Sequence, residues 1–71
     1  MSHQPTIKSR VLRSAMRLPE FTVMQIMADC NSIENLVYPR VTIIQVINAL
    51  NSITGEGQLV KRAAGRFAWR S

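Results

Sequence analysis

A small α+β fold, three helices followed by a C-terminal two-stranded β-hairpin, is predicted by this sequence, and three observations predict it. Apolar residues recur at helical spacing in three separate stretches, 6–18, 23–30 and 40–53. Glycines at 55 and 57 close the last of these. The residues that follow, 58–70, alternate apolar and basic side chains about a central Gly65. A chain of 71 residues has room for one domain, taken as 1–71, with 1–5 expected to be flexible.

Thr6 suits the N-cap of the first helix. At about 100° per residue, Ile7, Val11, Ala15 and Leu18 fall on one stripe, and Pro19, which cannot continue a helix, stops it. Arg10, Arg13 and Arg17 recur at spacings of three and four, so their guanidinium groups share a second face. Such a face serves a solvated surface as readily as phosphate contact, and the three arginines rank as secondary candidates for binding.

Glu20-Phe21 reads as a short extended link and Thr22 as the cap of a second helix over 23–30. There Val23, Ile26, Met27 and Cys30 have the spacing of a buried face, with the methionines as core fillers. The connector from Asn31 to Tyr38 is longer than the roughly three or four residues of a minimal helix-turn-helix turn. Ser32 to Asn35 has the capping character of a further helical turn; the alternative is a loop.

Pro39 suits the first turn of the third helix, where its missing N–H costs nothing, and it pushes Tyr38 towards extended geometry. Ile43, Val46, Ile47, Leu50 and Ile53 then collect on one side with Ile44 on its flank, while Val41, Gln45, Asn48 and Ser52 take the other. The density of β-branched residues would also suit a strand. Length decides for a helix, since a buried strand usually runs about four to eight residues and this pattern continues well past that without a turn signal. Gly55 or Gly57 supplies the left-handed residue that ends it.

In the hairpin, Leu59, or Val60 with Phe67 and Trp69, can face the core while Lys61 or Arg62, Arg66 and Arg70 face water. Gly65 is the expected positive-φ residue of the turn. Trp69 is read as closing the core in preference to stacking on a base. Tyr38 suits packing and a phosphate hydrogen bond equally.

Composition narrows the class. Hydrophobic residues make up 46% of the chain, which excludes a disordered tail. Nine Lys and Arg against four Asp and Glu give a net charge of +5 and a sequence pI near 10.8, the electrostatic footprint of a nucleic-acid binder. So small a core leaves little stability in reserve, and a homodimer or cooperative assembly would supplement it. The single Cys30 has no internal disulfide partner and is read as a small partly buried hydrophobe. With no signal segment and no apolar run near the ~18 residues of a membrane span, a cytoplasmic setting without membrane contact is expected.

Nothing in the sequence assembles a catalytic, metal or cofactor site. His3 is the only histidine and sits in the N-terminal tail, and the acids Glu20, Asp29, Glu34 and Glu56 are scattered. Gly55-Glu56-Gly57 lacks the Lys and Ser or Thr of a phosphate loop and is a turn.

The order helix, extended link, helix, helix, strand, basic turn, strand resembles the winged helix-turn-helix superfamily, especially small bacterial and phage or plasmid regulators. The resemblance covers about Thr6 to Arg70. It is carried by the Phe21-Thr22-Val23 entry to the second helix, the Thr42-to-Leu50 pattern, and Leu59-Val60-Lys61-Arg62 running through Gly65 to Trp69-Arg70. It implies sequence-specific binding of double-stranded DNA by a transcriptional regulator, located on the nucleoid, acting by promoter occlusion or polymerase recruitment. The helix over about 40–53 would enter the major groove and present Arg40, Val41, Thr42, Gln45 and Asn48, with Ser52 at the margin. Gln and Asn suit adenine, Thr or Val a thymine methyl, and Arg40 a phosphate or guanine. The basic wing over 58–70, with Lys61, Arg62, Arg66 and Arg70, would lie on backbone or in the minor groove. Because winged helices also serve as docking domains, a protein-interaction module is the alternative, with Val41, Ile44 and Leu36 as an apolar patch for a protein partner.

Overall fold

The computed structural model describes residues 5–32 and 37–70. The chain runs α1 (Ile7–Ala15), β1 (Glu20–Thr22), α2 (Val23–Cys30), α3 (Ile43–Gly55), β2 (Leu59–Arg62), a tight turn (Ala63–Gly65) and β3 (Arg66–Trp69). The expected helical turn or loop after α2 falls largely on residues 33–36, and the flexible start with His3 on residues 1–4; both lie outside the described residues.

Thr6 caps α1 as expected, its hydroxyl accepting from the Ser9 N–H at 3.1 Å. The helix ends at Ala15, short of the expected Leu18. Leu18 precedes Pro19 and is pushed away from helical geometry. The Trp69 indole N–H also reaches across from β3 to the carbonyls of Leu18 and Ala15, at 3.0 Å each, the latter already accepting from the Leu18 N–H at 3.1 Å. Leu18 is consequently exposed, while Val11 and Ala15 are buried.

The next two helices start in the same way. Thr22 accepts from the Gln25 N–H and the Gln25 side chain accepts from the Thr22 N–H; Thr42 and Gln45 repeat both bonds, so each helix opens with a capping box. In each, the residue before the cap and the fourth residue after it are in the core: Phe21 with Ile26, and Val41 with Val46. These are the positions of a hydrophobic staple, which sets the angle at which the chain enters the helix. Because Thr42 takes the cap, α3 begins at Ile43 and not in the turn of Pro39. It ends at Gly55, and Gly57, at φ +88°, is the left-handed residue beyond it.

This phase corrects the expected faces of α3. Its buried residues are Val46, Ala49, Leu50 and Ile53. Ile43, Ile44 and Ile47 are 44%, 66% and 36% exposed. Val41, expected on the exposed side, is 4% exposed.

The sheet has three antiparallel strands in the order β1-β3-β2, so the extended link at Glu20–Thr22 is a strand and the hairpin is not two-stranded alone. The reason is backbone hydrogen bonding: β3 has two edges, β2 covers one, and an extended segment whose Phe21 must be buried satisfies its own N–H and C=O groups along the other. Phe21 stands opposite Phe67, their rings stacked at 6.3 Å between centroids, and meets Trp69 edge-on at 6.4 Å. In the hairpin, Leu59 pairs with Trp69 and Lys61 with Phe67. Leu59 and Phe67 are buried, and Val60 only half-buried. The wing turn holds two consecutive left-handed residues, Ala64 at φ 62° and Gly65 at φ 70°.

Candidate nucleic-acid interface

Two side chains bridge the segment between α2 and α3. Asn31, at the C-cap of α2, accepts from the Val41 N–H at 2.8 Å and donates to the Val41 carbonyl at 3.0 Å. Both backbone groups of a buried residue are thereby satisfied from a position ten residues earlier. Arg10 on α1 donates to the Pro39 carbonyl at 2.8 Å and to the Cys30 carbonyl at 3.1 Å, and its guanidinium lies 5.3 Å from the Tyr38 ring centre. These contacts fix where α3 begins.

They also sort the candidate residues. Arg10 is committed to carbonyls at the α2–α3 junction and does not share the solvent-facing role of Arg13 and Arg17. Arg17 lies 3.7 Å from Asp29, an exposed pair of little energetic weight, and among the described residues Arg13 has no carboxylate within 4 Å. Val41 is buried with its backbone paired to Asn31, so it presents nothing to a partner. Leu36 of the alternative apolar patch lies outside the described residues.

On α3, Gln45, Asn48 and Ser52 are exposed as expected. Gln45 has one oxygen lone pair committed to the Thr42 N–H at 2.9 Å, which ties that side chain to the helix start. The centre of the outward face passes instead through Ile44, Asn48 and Asn51, all exposed. Asn51 and Ile47 were not assigned to this face from the sequence, which offered Ile44 only as part of the alternative apolar patch; the staple of Val41 with Val46 is the signal that sets the buried side and reveals them. Arg40 is exposed, two residues ahead of the α3 cap, and borders a groove that also contains Thr6, Tyr38 and Gln45.

The wing brings Arg62 directly opposite Arg66. Like charges paired across strands are destabilising, and the Arg66–Glu20 ion pair at 3.1 Å relieves only one of them. Thr22, the cap of α2, is the β1 partner of Arg66, so these cations stand beside the electropositive start of a helix. Lys61 and Arg62 have no carboxylate within 4 Å among the described residues. Arg70 does not join this group. It lies at the base of the hairpin, its N–H donating to the Gln58 carbonyl at 3.0 Å and its guanidinium beside Gly57.

Cys30 is buried, and burial pushes its thiol up, with nearby Arg10 pulling the other way. A raised thiol pKa disfavours the reactive thiolate. Among the described residues no three His, Cys, Asp or Glu side chains gather to hold a metal ion, and no helix is long and apolar enough to cross a membrane. No protein-family model, curated protein or solved structure matches the chain.

Proposed function

We propose that this chain binds double-stranded DNA sequence-specifically as a small transcriptional regulator of the winged helix-turn-helix kind, with α3 in the major groove and the Lys61–Arg66 turn on the backbone or minor groove. In that role it acts in the cytoplasm, on the nucleoid. One observation carries the reading: the longest described helix turns outward a face with amide and apolar side chains and no charge, while the cations lie elsewhere and for the most part lack carboxylate partners among the described residues. Uncharged amides suit base edges, and cations off the helix suit phosphates. The paired Arg62 and Arg66 gain from an anion placed between them.

Anisotropy on random-sequence duplex DNA at two salt concentrations, followed by selection from a random library, tests this. Strong salt dependence with an enriched motif supports it, and no binding at low salt overturns it. Replacing Lys61, Arg62 and Arg66 with Ala is expected to weaken binding to every duplex and to lower the salt slope by about one unit for each phosphate no longer neutralised. An unchanged slope removes the wing from the interface.

A second reading, a protein-docking module, is favoured by the exposure of Ile43, Ile44 and Ile47 on one helix. A protein partner that requires these isoleucines, together with indifference to DNA, would establish it.

A further inference from the structure

From the outward face of α3 we infer that the DNA site is A·T-rich in the major groove, with Ile44 and Ile47 packing on thymine methyls and Asn48 and Asn51 pairing with adenines. The inference rests on the DNA-binding reading above and adds the base chemistry of the same surface.

Ile44, Ile47, Asn48 and Asn51 are spaced i, i+3, i+4 and i+7, so they form one continuous patch on the helix. All four are exposed, Ile44 at 66% and Ile47 at 36%. Each base edge in the major groove calls for a particular side-chain chemistry: Arg or Lys for guanine, Asp or Glu for cytosine, Asn or Gln for adenine, and an apolar group for the thymine methyl. The thirteen residues of α3 include no Arg, Lys, Asp or Glu. Its patch therefore carries the adenine and thymine chemistries and neither of the charged ones that read guanine and cytosine.

The mixture also decides between DNA and a second copy of the chain as occupant. An apolar dimer seam would bury Asn48 and Asn51 without assured partners, at a cost that falls on each amide. It would also bring together two bodies of charge +5. An A·T major groove supplies donor and acceptor edges for the amides, methyls for the isoleucines, and negative charge for the cations. Lys61, Arg62 and Arg66 fit the same target, since A-tracts narrow the minor groove and deepen its negative potential.

The test uses the full chain and a duplex obtained by selection, compared with the same duplex carrying deoxyuridine for thymidine, which removes only the 5-methyl groups. The expected result is an A·T-rich selected core, a loss of about four-fold in affinity for each contacted methyl removed, a smaller thymine–uracil difference in Ile44→Ala, and its abolition when Ile44 and Ile47 are both replaced by Ala. Asn48→Ala should lose roughly 5- to 100-fold on the selected site and little on random DNA. Lys61→Ala serves as the control, weakening thymine and uracil duplexes alike. A G·C-rich selected core, or DNA binding indifferent to the methyl, overturns the inference while leaving DNA binding standing. Absence of DNA binding at low salt removes both. In that case a sedimenting dimer that Ile44→Ala dissociates assigns the patch to a second copy.

Discussion

α2 and α3 begin with the same device and finish with different surfaces. Each has a threonine cap, a glutamine three residues on that closes the box, and an apolar staple from the residue before the cap to the fourth after it. α2 stops after eight residues, at Cys30, where Arg10 and Asn31 lock its end to the entry of α3. α3 runs for thirteen, buries Val46, Ala49, Leu50 and Ile53, and leaves Ile44, Asn48 and Asn51 uncovered. Local hydrogen bonding sets where a helix starts and in which phase. What the rest of the fold covers then decides whether a face is core or free surface.

The sharpest way to break that comparison lies within α3. Leu50→Ala should cost about 2–5 kcal/mol by opening a cavity in a small core, whereas Ile44→Ala should stay within about 0.5 kcal/mol of the parent. Denaturant melts check both, and similar losses would mean that the outward face is packed after all. Next in size is Asn31→Ala, which strands the buried N–H and C=O of Val41 and should cost about 1–3 kcal/mol. Hydrogen exchange should then speed up at Val41 and the first turn of α3 while the first turn of α2 keeps its protection; equal acceleration at both starts would deny Asn31 a local role. The smallest expected effect is the most symmetrical one. Thr22→Ala and Thr42→Ala should each cost about 1 kcal/mol, and a much larger loss at one site would show that the two boxes are not equivalent.

Much of this was legible in the sequence, and what was not has identifiable causes. The caps Thr6 and Thr22 and the span of α2 follow from local signals that need no partner. The faces of α3 do not, because isoleucine and valine occur on several sides of that helix and leave its amphipathic contrast weak. β1 has three residues, too few for an alternating pattern, and it becomes a strand only because β3 offers an edge. Arg10 has the spacing of a surface cation with Arg13 and Arg17, yet its carbonyl partners come from positions 30 and 39. No local pattern encodes contacts of that separation. For the candidate interface, Asn48, the basic turn over 61–66 and, as part of the alternative apolar patch, Ile44 were visible, whereas Ile47 and Asn51 depended on knowing which side of α3 is buried.

The strand order has a consequence for how the molecule comes into being. β3, the central strand, is the last of the three to be synthesised, and both β1 and β2 hydrogen-bond to it and not to each other. Trp69, near its end, holds the close of α1 from more than fifty positions away. A nascent chain that has not yet delivered residues 66–69 can form helices, but it has neither a sheet nor the indole that closes the first helix. Folding is thereby gated by translation: the sheet, and with it the indole contact that closes α1, forms only once residues 66–69 have been made.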